Sequence, residues 1–233
     1  ARWVDAVAVS FEGTASSFRG ARRIVHTGNP IRETIERDCR EEALRTFGFS
    51  PDRKTVLVLG GSQGAESINT MFTQALRLLD EGTRSRLQAL HLCGRMDPRE
   101  SETLCREAGI PSRAFAFFDR MDLAYGAADV ALGRAGATFL SEIAEKDIPA
   151  ILVPYPHGDG HQRWNARAFA DRCGAEIIEQ ADMTPERTAD LLRKALQGGA
   201  SPRRLLSGEG ATARRRLADL VFESAADRRG DAL

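Results

Sequence analysis

From residue 55 onward, short apolar runs and helical patterns take turns, and this alternation constrains the fold more than any other feature of the 233-residue chain. Strand signals fall at 55–59, 87–92, 114–118, 130–132, 150–153 and 176–178. Helical patterns lie at 65–79, 99–108, near Leu123, at 140–145 and at 165–172, and two more close the chain. Short apolar strands joined by helices demand crossover connections, hence parallel pairing with helices over both faces. The expected fold class is α/β, a Rossmann-like doubly wound parallel sheet.

Ahead of that unit, residues 4–11 alternate and are β-branched, and 23–26 repeat the signal after a Gly/Ser-rich turn, so both read as strands. A chain that opens in a strand is expected to begin inside a preceding domain. Residues 31–54 carry Ile31, Ile35, Leu44 and Phe47 among many charges, which predicts a linker helix ending at Gly48. The expected organisation is therefore a domain remnant at 1–30, the linker at 31–54, the main domain at 55–200 and a C-terminal helix at 201–233.

Acidic and basic residues balance at 33 each, which argues against a nucleic-acid groove or a polyanionic partner. All cations but Lys54, Lys146 and Lys194 are arginines, a choice that suits phosphate recognition and equally reflects genomic composition. Cys39, Cys93, Cys105 and Cys173 are too widely spaced for a zinc site or a disulfide framework, so a cytoplasmic setting is expected. No run approaches the roughly eighteen apolar residues of a membrane span. Arg214-Arg215-Arg216 and Arg228-Arg229 either lie on anionic lipid or belong to a solvated helix packing back across the domains.

Sheets of this class bind ligands at the carboxyl ends of their strands, and three loops there are unusual. The first is Gly60-Gly61-Ser62-Gln63-Gly64-Ala65. Its glycines allow close backbone approach, and free helix-start amides with the Ser62 hydroxyl can donate to phosphate; the alternative is a turn that merely packs tightly. The second is Gly133-Arg134-Ala135-Gly136-Ala137-Thr138-Phe139-Leu140-Ser141-Glu142. Thr138 can cap the helix or touch phosphate, and Glu142 can hold both hydroxyls of a ribose or simply favour the helix dipole. Glu142 is expected on the surface, where its loss would spare the fold. The third runs from Pro154 to Ala166 and puts His161, Gln162 and Asn165 within one helical turn. Carboxamides and imidazoles suit sugar hydroxyls, whereas a solvated helix start capped by His161 is the plainer alternative.

Gly60 to Ala65, Arg134 to Glu142 and His161-Gln162-Arg163-Trp164-Asn165-Ala166 together resemble, in content, order and spacing, the signatures of the MurG family of glycosyltransferases. Gly28-Asn29-Pro30-Ile31-Arg32 is similar to the family's linker motif, and Phe117-Phe118-Asp119-Arg120-Met121 to its F-x-D-x-M loop. The likeness implies a GT-B architecture of two Rossmann-like domains facing a cleft, here one complete domain plus a remnant of the other. It implies an inverting transferase that moves N-acetylglucosamine from UDP-N-acetylglucosamine to the muramoyl sugar of lipid I, giving lipid II in peptidoglycan synthesis.

By the same resemblance, Arg32, Ser62, Gln63 and Gly64 meet the diphosphate, Phe118 the uracil, and Gly136, Ala137, Thr138 and Phe139 the phosphate and nucleotide backbone. Glu142 holds the ribose, with His161, Gln162 and Asn165 around the sugar. Ala135 and Phe139 depart from the family's usual hydroxyl residues, and Thr138 stands in for the latter. The acceptor-binding glycine-rich loop and its histidine base are expected upstream of Ala1, so no catalytic residue is expected in this chain and the isolated chain is expected to be inactive. Lipid I and peripheral contact with the inner membrane are expected through that missing domain. No metal or cofactor is implied. A nucleotide-sugar-binding module without turnover, or a GT-B enzyme for another glycolipid or natural product, are the alternatives.

Overall fold

The structure, a computed structural model, describes residues 4–18, 20–61, 65–157, 160–197 and 209–230. It opens with β1 (Val7–Val9) and β2 (Ile24–His26), which pair in parallel and form a small separate sheet. The segment between them is therefore a crossover through a 3₁₀ turn (Glu12–Ser17), where a simple Gly/Ser-rich turn was expected.

The segment expected as a linker contains two helices, α1 (Glu33–Glu36) and α2 (Arg40–Phe47), where one was expected. Ile35 and Leu44 are nine residues apart, about two and a half helical turns, so one straight helix would point them to opposite sides. The chain resolves this by extending at Arg37 (ψ 136°) before restarting, which lets Ile35, Leu44 and Phe47 all enter one core. Gly48 ends α2 in the left-handed region, as its position predicts.

The main sheet comprises β3 (Lys54–Leu59), β4 (Leu87–Leu92), β5 (Ser112–Phe115), β6 (Val130–Gly133), β7 (Ala150–Leu152) and β8 (Ala175–Ile177). All pairs are parallel and the order is β5-β4-β3-β6-β7-β8. The strands are connected through α3 (Glu66–Leu76) and the short α4 (Glu81–Arg84), α5 (Pro98–Glu107), α6 (Met121–Ala127), α7 (Ala137–Glu145) and α8 (His161–Cys173). A 3₁₀ turn (Gln180–Asp182), α9 (Pro185–Leu196) and α10 (Glu209–Gly230) follow.

Side chains alternate along each strand, yet both sets are apolar. Leu57, Leu90, Ala131 and Leu152 join α2, α6, α7 and α8 in one core, while Val56, Val58, Ala89, Leu132 and Ile151 join α3, α5 and α9 in the other. A strand buried on both faces needs this composition, which is why the strand signals read as continuous apolar runs. β5, at the sheet edge, tolerates Ser112 and Arg113 and ends at Phe115, three residues before the expected limit.

α10 returns to the segment around α1. A Cβ on Gly210 would lie 2.5 Å from Ile31 Cγ1, and Arg214 donates to the Ile31 carbonyl at 2.8 Å and pairs with Glu36 at 2.8 Å. Further along, Leu217, Leu220 and Val221 face Val4 and Ala6, which precede β1, and Ala8 of β1 across a groove. Among the described residues no helix is long and apolar enough to cross a membrane.

Candidate functional site

The strand order changes direction between β3 and β6: α3 leaves β3 toward one face, and α7 leaves β6 toward the other. Divergence of this kind opens a crevice at the carboxyl ends of the two strands, where ligands of such sheets bind. A cavity of about 940 Å³ sits there, lined by Gly60 and Gly61 after β3, Arg134 and Gly136 after β6, Tyr155, His157 and Gln162 after β7, and Gln180 after β8. Gly61 has φ +87°, a conformation that disfavours any side chain. Gly133 is needed for a different reason: a Cβ there would lie 2.7 Å from the Leu59 carbonyl oxygen, so only glycine lets β6 close on β3 beneath the cavity. Ser62, Gln63 and Gly64 lie outside the described residues.

Three helices begin around this cavity without a side-chain cap. Their N-cap residues are Ala65, Gly136 and Gly160, none of which carries an acceptor, and α7 and α8 have no acidic residue in the first turn. Each therefore leaves backbone N–H groups and the positive end of its dipole for an external anion. Thr138 is the second residue of α7 and exposed, and His161 the first of α8 and exposed, so neither caps its helix.

Arg134 anchors the floor. Its Nη1 donates to the carbonyls of Val153 and Pro154 at 3.2 Å each, its Nη2 donates to Gln180 Oε1 at 2.5 Å and to Ser67 Oγ at 3.4 Å, and its guanidinium lies 5.4 Å from the Tyr155 ring centre. Burial holds its pKa below the ordinary arginine value, an expected cost for a cation kept from water, and among the described residues no carboxylate pairs with it. Arg134 belongs to the motif that follows β6, but its residue type alone assigns it no role there. Its place one residue past the end of a strand was the available signal.

A second cluster lies beside the first, at the mouths of β5 and β6. Glu142, expected on the surface, is only 6% exposed, and its Oε2 accepts from the Tyr125 hydroxyl at 2.7 Å. Burial raises the carboxyl pKa above the ordinary value; the Tyr125 hydrogen bond and the Arg32 charge pull it back. Removing Glu142 would strand the buried Tyr125 hydroxyl at a cost of about 1–3 kcal/mol, so Glu142→Ala would lower the stability of the fold. Arg32 is exposed, and its Nη1 reaches the Asp119 carbonyl at 3.4 Å. Phe118 is half-buried against Phe47 and Phe115, with ring centres 5.4 and 4.9 Å away, while Phe117 is 77% exposed. The free ring face at this loop belongs to Phe117, not to Phe118 as the resemblance implies.

The third predicted group divides. Gln162 lines the cavity and its Oε1 accepts from the Tyr155 amide at 3.0 Å, leaving its NH₂ for a ligand. Asn165 is 5% exposed and donates to the Ala135 carbonyl at 3.3 Å, tying α8 to the loop after β6. Its location is that of a strut beneath the site. Phe139 is likewise buried, so its side chain packs under the α7 start while its amide stays near the opening.

This architecture is that of GT-B glycosyltransferases. The chain superposes on the crystal structure of Acinetobacter baumannii MurG with TM-score 0.63 and 28% identity, covering 92% of this chain and 56% of that one. It also superposes on WaaG, a glycosyltransferase involved in lipopolysaccharide biosynthesis, with TM-score 0.55 over 89% of this chain and 57% of that one; at 18% identity this likeness concerns the fold alone. Residues 55–220 match the glycosyltransferase family 28 C-terminal domain, and the chain belongs to that family. A relative from Nocardioides sp. (strain ATCC BAA-499 / JS614) is 38% identical over 86% of this chain and 56% of its own length. One from Halothermothrix orenii is 36% identical over 85% and 56%. Both are named UDP-N-acetylglucosamine--N-acetylmuramyl-(pentapeptide) pyrophosphoryl-undecaprenol N-acetylglucosamine transferase. The chain spans just over half the length of these relatives.

Proposed function

We propose that this chain supplies the donor side of an inverting N-acetylglucosaminyltransferase that uses UDP-N-acetylglucosamine and, in the full-length protein, glycosylates the muramoyl sugar of lipid I. One observation carries the reading: three uncapped helix N-termini converge at a single switch point on Arg134, a cation without a carboxylate partner among the described residues. A diphosphate matches that arrangement, because its oxygens accept from backbone amides and its charge answers both the helix dipoles and the guanidinium. Arg32, Phe117 and Glu142 lie to one side for the uridine, and Gln162, His157 and His161 to the other for the sugar.

In an inverting transfer the acceptor oxygen bonds to the anomeric carbon while the bond from that carbon to the diphosphate breaks and its electron pair leaves with UDP. The amides and Arg134 stabilise the charge that grows there and need not reorganise to do so. We place the acceptor site, the base and the contact with the cytoplasmic face of the membrane in the part of the relatives beyond the matched span. Calorimetric titration with UDP-N-acetylglucosamine, UDP-N-acetylgalactosamine and UDP-glucose tests the donor reading. Preferential binding of the first supports it, and binding of none by a chain that is folded by circular dichroism overturns it.

A further inference from the structure

The buried hydroxyl of Tyr125 has a consequence for ligand recognition that rests on the donor-site reading above. Tyr125 lies on α6 and is 2% exposed, and among the described residues its hydroxyl makes one hydrogen bond, to Glu142 Oε2 on α7 at 2.7 Å. Burial and the neighbouring carboxylate push its own pKa far above the ordinary phenol value, so at any working pH it is a donor. Glu142 itself is 6% exposed, and among the described residues no protein hydrogen bond engages its Oε1.

We propose that Tyr125 is a positioning residue of the donor site: by holding one oxygen of Glu142 it fixes the carboxylate plane and turns the other oxygen outward as the acceptor for a hydroxyl of the ligand's ribose. Sequence reasoning gives Glu142 two free oxygens for two ribose hydroxyls. In the structure one of them already accepts a hydrogen bond, so recognition rests chiefly on Oε1. The arrangement joins two motifs that are separate in sequence, since α6 follows the Phe117-Phe118-Asp119-Arg120 loop and α7 follows Arg134-Ala135-Gly136.

The same contact controls the charge on Glu142. The charged and titratable groups that act on it are Tyr125 from α6 and Arg32 from the segment before α1, and both favour the ionised form against the cost of burial. Loss of the phenolic donor removes one of the two, so the carboxyl of Tyr125→Phe retains its proton to higher pH.

The test is titration of the whole chain with UDP-N-acetylglucosamine across pH 5 to 8, for the unaltered protein, Tyr125→Phe and Glu142→Gln. Tyr125→Phe keeps the ring and the packing. We expect it to bind roughly fivefold to tenfold more weakly near neutral pH, with the acidic fall-off in affinity displaced to higher pH. Glu142→Gln should bind weakly at every pH and lack the fall-off that Glu142 causes. A general packing defect would lower affinity without displacing the pH profile, and that result overturns the proposal, as does unchanged affinity in Tyr125→Phe. If the unaltered chain binds no UDP-sugar, the donor reading fails and the positioning role fails with it. Binding by the unaltered chain that is indifferent to Tyr125 defeats the positioning role alone.

Discussion

Six helices start at the same edge of the main sheet in the loops that follow its strands; α6, after the edge strand β5, starts at Arg120 without a side-chain cap but carries Asp122 in its first turn, and the other five are finished in two different ways. At the flanks, α5 begins at Asp97, whose carboxylate accepts from the Arg99 amide at 2.9 Å, and α9 begins at Thr184, whose hydroxyl accepts from the Arg187 amide at 3.2 Å. Both also have proline at the start of the helix. Around the switch point, α3, α7 and α8 begin at Ala65, Gly136 and Gly160 and have no side-chain cap. At an N-cap, alanine in place of a capping residue costs about 1 kcal/mol and glycine a few tenths. Three such starts converging on one cavity are a stability cost concentrated where a ligand would recover it, and α5 and α9 show that a capped start is compatible with the fold.

The sharpest way to break this comparison is to give a switch-point helix the cap it lacks. Gly136 has φ −72° and ψ 142°, open to any residue, and a Cβ there meets nothing within 4 Å. Gly136→Asp should therefore fold and gain a few tenths of a kcal/mol in chemical denaturation. It should also lose roughly a hundredfold or more in UDP-N-acetylglucosamine affinity by calorimetry, because a carboxylate would take the amides and repel the phosphates. Arg134→Gln comes next, with an affinity loss of roughly ten- to a hundredfold, the usual range for a charge-assisted contact. It should lower thermal stability as well, since the Val153 and Pro154 carbonyls lose their donor. The smallest effect belongs to the flank: Thr184→Ala should cost about 1 kcal/mol in denaturation and leave the affinity unchanged.

Much of the fold was legible because both faces of the sheet are apolar. β4 falls at 87–92 as expected, and the remaining strands of the main sheet differ from the expected spans by a few residues at their ends. The break between α1 and α2 was also present in the sequence, since the half-turn mismatch between Ile35 and Leu44 rules out one continuous amphipathic helix. What sequence does not carry is the partner of each polar side chain. Glu142 and Asn165 looked like surface residues at helix starts, but Tyr125 and the Ala135 carbonyl, contributed by other elements, make their burial tolerable. Arg134 gave the same difficulty, for its five contacts come from α3, the loop after β7 and the turn after β8. Phe117 and Phe118 are adjacent and chemically identical, and only the packing of Phe118 onto Phe47 and Phe115 separates the buried ring from the free one.

The most direct test of the central claim is an amide nuclear magnetic resonance titration of the chain with UDP. If the uncapped termini bind the diphosphate, the amides of Ala137, Thr138 and Phe139 at the start of α7 should shift on saturation, while those of Arg99, Glu100 and Ser101 in α5 and of Arg187 and Thr188 in α9 stay in place. Equal shifts at capped and uncapped starts, or shifts confined to the capped ones, would contradict the account.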